Sequence, residues 1–144
     1  LVVRQLFGTV TGKRIAVLGF AFKADTNDTR ETPAIRICGD LLEEGAQLAL
    51  FDPKVSADQI ALDLGQKPSQ SGEGVWQKAA DPVEAVRGAD AVLVLTEWQQ
   101  FAQLDWQQLA AVMRQPSWLF DGRAICDAGA ARAAGLKVWR VGEG

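Results

Sequence analysis

The sequence predicts an α/β fold: a doubly wound, mainly parallel sheet of five to six strands with helices on both faces. Short and continuously apolar runs, such as residues 15–18 and 91–95, are typical of strands that are buried on both sides in a parallel sheet. Segments with helix-start signals lie between these runs, so strands and helices alternate along the chain. A chain of 144 residues fits one domain.

The first half of the chain has three predicted strands, at Arg14–Leu18, Gln47–Phe51 and Val75–Lys78. Between them we expect two helices and a loop rich in glycine and serine, at residues 34–44, Ala57–Leu64 and 65–74 respectively. Thr32 can cap the first of these helices, and Pro33 suits its first position. Gly45 can end it, because glycine tolerates a left-handed conformation.

The second half repeats this alternation, with strands predicted at residues 91–95, 118–120 and 136–141. Helices are predicted from Asp81 to near Gly88, at residues 106–114 and at residues 128–134, with a helical turn at 98–101. Asp105 is a suitable cap for the helix that starts at residue 106, and Gln108 stands in the capping-box position. The five tryptophans are spread among strands and helices, so we expect core packing for most of them.

Composition narrows the classes of function. The net charge is −3 and the sequence pI is about 4.9, which argues against nucleic acid or an anionic membrane surface as the main partner. No apolar run approaches the roughly 20 residues of a membrane-spanning helix, and no signal-peptide pattern is visible, so we expect a cytoplasmic location. Two cysteines, Cys38 and Cys126, and no histidine predict neither a metal site nor a disulfide framework.

A polar loop of about a dozen residues joins the first strand to the first helix, at the sheet edge where open α/β folds bind ligands. It contains Lys23 and Arg30 and ends at a helix N-terminus, a combination that suits an anion such as phosphate. The dinucleotide fingerprint G-x-G-x-x-G is absent, since Phe22 would block the approach that its second glycine permits. The alternative is an ordinary connection with solvated charges.

Short motifs in this loop and beyond it resemble a known family. The loop reads Gly-Phe-Ala-Phe-Lys at 19–23, Asp-Thr at 25–26 and Asp-Thr-Arg-Glu-Thr-Pro at 28–33. Further motifs follow in order: Asp-Pro-Lys-Val at 52–55, Gly-Ala-Asp at 88–90, Thr-Glu-Trp at 96–98 and Phe-Asp-Gly-Arg at 120–123. From about Thr11 onward the chain resembles the C-terminal, Rossmann-like UDP-binding domain of the UDP-glucose/GDP-mannose dehydrogenase family, most closely its UDP-glucose group.

The resemblance implies roles for four residues. Phe22 and Lys23 would contact the nucleotide sugar together with Arg123, and Arg30 would reach the NAD bound by another domain. Lys23 and Arg123 both follow the carboxyl ends of predicted strands, so their side chains can converge at one edge of the sheet. Each cation has an alternative role, which for Lys23 is that of a solvated loop lysine. Arg123 could pair with one of the neighbouring acids, and so could Arg30; the acids are Asp121 or Asp127 for Arg123, and Asp28 or Glu31 for Arg30.

No catalytic residue is expected in this chain. The family's nucleophilic cysteine lies in a glycine-rich motif, and nothing around Cys38 or Cys126 resembles it. Burial would raise the pKa of either thiol and make it inert. Thr96-Glu97-Trp98 fits the same edge of the sheet, where we expect it either to have a structural role or to support the residues that contact the ligand.

The resemblance also implies a larger enzyme, which oxidises UDP-glucose to UDP-glucuronate with two molecules of NAD. Residues 1–12 would connect to absent NAD-binding and central domains, 13–144 would form the UDP-binding domain, and the whole protein would be a homo-oligomer. We expect the chain alone to be inactive. Alternatives are a relative acting on GDP-mannose or a UDP-N-acetylhexosamine, a flavodoxin-like binding module, and a stand-alone NAD-binding domain.

Overall fold

A computed structural model describes residues 11–21, 29, 32–69 and 72–140 of the chain. The six strands of its sheet are β1 (Arg14–Leu18), β2 (Gln47–Phe51), β3 (Val75–Lys78), β4 (Ala91–Val94), β5 (Trp118–Asp121) and β6 (Lys137–Arg140). All neighbouring strands pair in parallel, in the order β3-β2-β1-β4-β5-β6. The predicted doubly wound parallel sheet is therefore confirmed.

Helices occupy the predicted connections: α1 (Pro33–Glu43), α2 (Ala57–Leu64), α3 (Pro82–Val86), α4 (Trp106–Val112) and α5 (Ala128–Ala133), with a 3₁₀ turn at Gln99–Gln103. Each of these five α-helices is preceded by a residue whose side chain accepts a hydrogen bond from a backbone N–H of the first turn. These caps are Thr32, Ser56, Asp81, Asp105 and Asp127. The caps predicted at Thr32 and Asp105 are among them.

The helix predicted to reach residue 114 ends two residues earlier, and hydrogen bonding explains why. The N–H of Met113 donates to Ala110 O at 3.2 Å, which tightens the last turn. The N–H of Arg114 then donates to Ala89 O at 2.9 Å and draws the chain away from the helix axis.

Successive residues of β1 face two separate hydrophobic clusters. Ile15 and Val17 pack into the cluster on the side of α1 and α2. Ala16 and Leu18 pack into the cluster on the side of α3, α4 and α5. Burial on both faces is the reason that the strand sequence is continuously apolar rather than alternating, and it confirms helices on both faces of the sheet.

The strand order creates a switch point between β1 and β4. From β1 the chain moves outward to β2 and β3, then crosses back to β4 and proceeds the other way to β5 and β6. The exits of β1 and β4, which are neighbours in the sheet, therefore diverge at its carboxyl edge. Such a divergence is where doubly wound sheets open a ligand crevice.

In the described part of the chain, no helix has the length and apolar character needed to cross a membrane. Within the same residues, no cluster of three or more His, Cys, Asp or Glu side chains could hold a metal ion. Core packing is confirmed for most tryptophans: Trp76, Trp98 and Trp106 are buried.

Candidate functional site

A tight turn at Gly19 brings the exits of β1 and β4 into contact. Gly19 has a φ of +96°, and its N–H donates to Phe51 O at 2.7 Å. A Cβ at this position would lie 2.5 Å from Thr96 Cβ and 2.8 Å from Thr96 N. Only glycine combines this backbone angle with so close an approach, so the turn depends on the first residue of the predicted loop.

Beyond that turn, a buried carboxylate holds the chain. Asp52 is 2% exposed, and its Oδ2 accepts hydrogen bonds from the N–H groups of Phe20 at 2.7 Å and Ala21 at 3.0 Å. The indole Nε1 of Trp98 donates to the same oxygen at 3.3 Å. The carboxylate thus ties the segment after β1 to the segment after β4.

The second oxygen of Asp52 orders its own turn. Oδ1 accepts from the N–H groups of Lys54 at 2.8 Å and Val55 at 3.1 Å, an Asx-type arrangement that an aspartate before a proline readily forms. Five donors from the exits of β1, β2 and β4 therefore meet on one side chain. Asp52 belongs to one of the motifs that carry the family resemblance, but the sequence suggested no contact for it.

Two threonine hydroxyls fix Ala21 from its carbonyl side. Thr96 Oγ1 donates to Ala21 O at 2.9 Å, and Thr32 Oγ1 donates to it at 3.4 Å. The Thr32 hydroxyl also accepts from Ala34 N at 3.3 Å, which is the cap of α1. One carbonyl consequently joins the exit of β1, the exit of β4 and the start of α1.

The turn after β5 is held by a second buried carboxylate. Asp121 is fully buried; its Oδ1 accepts from Arg123 N at 3.1 Å and its Oδ2 from Cys126 N at 2.8 Å. Arg140 lies 3.8 Å from Asp121 Oδ2 and donates through Nη2 to Ala124 O at 2.9 Å. These contacts support the left-handed backbone of Ala124, whose φ is +55°.

The same turn positions the Arg123 side chain, which is 34% exposed. Its Nε donates to Leu95 O at 3.0 Å and lies 3.4 Å from Glu97 Oε2. Asp121, which the sequence offered as a possible ion-pair partner, binds the Arg123 backbone N–H instead. Glu97, for which the sequence suggested no contact, forms the ion pair.

Arg123 borders an open groove of about 240 Å³ at the carboxyl edge. The groove runs between the first turns of α1 and the exits of β4 and β5, and its walls are formed by Pro33, Ile37, Leu95, Gly122 and Arg123. Arg123 therefore lies beside the start of the helix that follows the predicted phosphate loop. The position of Arg123 therefore agrees with the predicted convergence of Lys23 and Arg123, of which only the Arg123 part can be compared with the structure.

The remaining predicted binding residues, Phe22, Lys23 and Arg30, lie outside the described residues. Their roles stay predictions. The structure does describe Ala21, which precedes Phe22, and buried Thr29, which precedes Arg30 and accepts through its backbone O from Thr32 N at 3.2 Å.

Both thiols have properties that disfavour nucleophilic chemistry. Burial raises the pKa of Cys38 from 9.0 to about 12. The pKa of Cys126 is also raised, first by burial and then by the neighbouring Asp121 carboxylate, against a smaller opposing effect of Arg140. Each thiol is protonated near neutral pH, as expected for residues without a catalytic role.

Taken together, the switch point between β1 and β4 and the arginine-lined groove beside a helix start define a doubly wound α/β domain suited to an anionic ligand. The chain belongs to the UDP-glucose/GDP-mannose dehydrogenase family, whose UDP binding domain matches residues 16–128. The family resemblance found in the motifs is confirmed.

Relatives with similar sequences carry consistent names. The chain is 44% identical to UDP-glucose 6-dehydrogenase 4 of Oryza sativa subsp. japonica, covering 99% of this chain and 32% of the relative. It is 44% identical to the UDP-glucose 6-dehydrogenase of Caenorhabditis elegans, covering 98% of this chain and 30% of the relative. The chain thus spans about a third of the length of these relatives.

Solved structures share the fold. A UDP-glucose dehydrogenase from Pyrobaculum islandicum superposes with a TM-score of 0.70 at 26% identity, over 96% of this chain and 27% of that one. An NDP-N-acetyl-D-galactosaminuronic acid dehydrogenase from Methanosarcina mazei Go1 superposes with a TM-score of 0.74 at 24% identity, over 97% and 26%. At that lower identity the likeness concerns the fold alone.

Proposed function

We propose that this chain is the substrate-binding domain of an NAD-dependent UDP-glucose 6-dehydrogenase, which converts UDP-glucose to UDP-glucuronate with reduction of two molecules of NAD. The observation that carries the proposal is the groove beside Arg123 at the carboxyl edge of the sheet, in a chain 44% identical to relatives with that name. Residues 13–144 form the domain, and residues 1–12 connect it to the rest of the enzyme.

The nucleotide sugar is held by Phe22, Lys23 and Arg123. The planar guanidinium of Arg123 lies at the groove and can share hydrogen bonds with phosphate or sugar oxygens. The ammonium of Lys23 can donate up to three hydrogen bonds to the same ligand. Binding energy from the diphosphate then orients the distant reacting carbon against the catalytic part of the enzyme.

NAD binds mainly to the domain outside this chain, with Arg30 reaching toward it. The described residues do not fit NAD at the exit of β1. A dinucleotide fold offers its first backbone amides to the pyrophosphate, whereas here the N–H groups of Phe20 and Ala21 donate to the Asp52 carboxylate. This supports the proposal over a stand-alone NAD-binding domain. The whole enzyme is a cytoplasmic homo-oligomer.

Titration calorimetry of the chain with UDP-glucose, UDP and NAD separately tests the proposal. We expect weak binding of UDP-glucose and UDP and none of NAD. Lys23→Ala and Arg123→Ala should each weaken UDP binding about tenfold or more, because each removes a charge-assisted hydrogen bond. Arg114→Ala is the matched control, since Arg114 lies 3.8 Å from Asp90 at the opposite edge and is largely exposed.

Two results would refute the proposal: unchanged UDP affinity in both variants, or binding of NAD to the chain. GDP-mannose and UDP-N-acetylglucosamine serve as competing ligands, and tighter binding of either would assign the chain to that branch of the family. NADH formation by the chain alone would contradict the proposal, because we expect the nucleophile to lie in another part of the enzyme.

A further inference from the structure

We propose that Asp52 is a positioning residue for ligand binding, one that sets the loop after β1 and the Arg123 side of the groove relative to each other. The inference rests on the proposed function, because it concerns the same groove. Asp52 does not touch the ligand. It acts through the backbone that leads to Lys23 and through the segment that holds Arg123.

Hydrogen-bond donors from three strand exits converge on Asp52. Five N–H donors reach its two oxygens at 2.7 to 3.3 Å, and they come from the exits of three strands, β1, β2 and β4. A buried carboxylate is costly unless it is satisfied by hydrogen bonds. Here those bonds are spent on joining separate loops at the carboxyl edge.

The segment after β1 that Asp52 binds lies directly before two proposed binding residues in the sequence. Phe20 and Ala21, whose N–H groups donate to Asp52, directly precede Phe22 and Lys23 in the sequence. The Ala21 amide is therefore the described backbone group that lies nearest in sequence to both proposed binding residues.

The segment after β4 connects Asp52 to Arg123. Trp98, whose indole donates to Asp52, ends the four-residue segment after β4. The same segment contains Leu95 O and Glu97 Oε2, which lie 3.0 and 3.4 Å from Arg123 Nε. One carboxylate thus joins the segment that ends at Ala21 to the segment that contacts Arg123.

Asp52→Asn tests the idea with little change of volume. An amide presents one oxygen and one NH₂ group, so at least one face of the side chain would set a donor against backbone donors. The loops must then move apart. Asp90→Asn is the matched control: Asp90 is also a buried carboxylate that accepts a backbone N–H, from Arg14 at 3.0 Å, but it lies at the amino edge.

The measurement is a double-mutant cycle on UDP affinity, by calorimetry of the 144-residue chain at a temperature where circular dichroism shows every variant folded. We expect Asp52→Asn to weaken binding about tenfold, and Lys23→Ala to lose most of its own effect in that background. In the Asp90→Asn background, Lys23→Ala should keep its full effect.

Independent effects of Asp52→Asn and Lys23→Ala, or an equal loss of affinity in Asp90→Asn, would overturn the proposal, because either would indicate a general structural role. Trp98→Phe covers the case in which Asp52→Asn does not fold: it removes one donor to Asp52, retains an aromatic ring, and should weaken UDP binding severalfold. Unchanged affinity in that variant would count against the proposal. If the unsubstituted chain binds no UDP, the proposed function fails instead.

Discussion

The carboxyl and amino edges of the sheet both contain a buried carboxylate, but the two carboxylates have different hydrogen-bond partners. Each has a buried carboxylate that accepts backbone N–H groups, Asp52 at the carboxyl edge and Asp90 at the amino edge. Asp90 accepts from Arg14 N at 3.0 Å and lies 3.8 Å from an Arg114 nitrogen. Asp52 instead gathers donors from three loops.

The difference lies in how the loops are closed. At the amino edge, backbone bonds join one connection directly to the next: Gly12 N donates to Gly45 O at 2.9 Å and Asp90 N to Arg14 O at 2.7 Å. At the carboxyl edge, backbone bonds such as that from Gly19 N to Phe51 O are joined by buried side chains that bridge diverging loops, and a groove opens between these loops. Buried aspartates therefore indicate stability at both edges, and the divergence of the strand exits is what supports the proposed ligand site at the carboxyl edge.

Alanine at two glycines should give the largest contrast. Gly19→Ala should cost about 4 kcal/mol of unfolding free energy, because its Cβ collides with Thr96 and its φ is positive. Gly12→Ala also has a positive φ, but nothing lies within 4 Å of its Cβ, so about 1 kcal/mol is expected. Urea unfolding measures both; similar costs would mean that the two turns are equally open.

The second contrast compares buried carboxylates at the two edges. Asp121→Asn should destabilise the chain by about 3 kcal/mol, because it disturbs two backbone hydrogen bonds and the contact with Arg140. Asp90→Asn should cost about 1.5 kcal/mol, since its Arg114 partner is mostly exposed. Thermal and urea unfolding provide the check, and the reverse ranking would contradict the account of the turn after β5.

Removal of one hydroxyl sharpens the comparison at smaller scale. Thr96→Val should cost about 1.5 kcal/mol, because it leaves Ala21 O in a buried site without its 2.9 Å hydrogen bond. Thr11→Val removes a hydrogen bond to Glu44 O in an exposed site at the amino edge, and a cost below about 0.5 kcal/mol is expected. Equal losses would show that burial does not separate these two threonines.

The smallest effect concerns a thiol in the core of α1. The folded pKa of Cys38 is raised to about 12 by burial, so only the unfolded thiol ionises near pH 9. Stability linked to this group is complete below pH 9 and is lost as pH rises toward 12. Between pH 7 and 9.5 the original chain should lose about 0.8 kcal/mol more than Cys38→Ala.

Parallel pH profiles of these two chains in urea unfolding would contradict the buried thiol. Cys126→Ala extends the test to the carboxyl edge. Burial and Asp121 raise the pKa of Cys126. Its replacement should therefore also reduce the unfolding free energy that is lost as the pH rises.

Predictions from the sequence worked best where short-range chemistry decides the structure. Asp105 caps α4 through Gln108 N at 3.2 Å, as the capping pattern indicated, because the partners are three residues apart. The hydrogen bonds that Asp52 accepts were not predicted, because the donors to its Oδ2 are 31 to 46 residues away in the chain. An aspartate directly after a buried strand and before a proline was the available signal.

Thr96 and Glu97 illustrate the same limit. Their place at the end of a strand was predicted, but the hydrogen bond of Thr96 to Ala21 O spans 75 residues. The Glu97 ion pair depends on where the turn after β5 delivers Arg123. Neither contact follows from spacing, since both require the lateral order of the strands.

Apolar runs, capping residues and glycine positions were enough by themselves to determine the alternation of strands and helices, since these signals act over a few residues. The motifs in that order also determined the family. Only the tertiary structure decided that β4 lies between β1 and β5, and thereby that the segment after β4 contacts Asp52 through Trp98 and Arg123 through Leu95 O. Strand order is set by packing of both faces of the sheet at once, which no local pattern encodes.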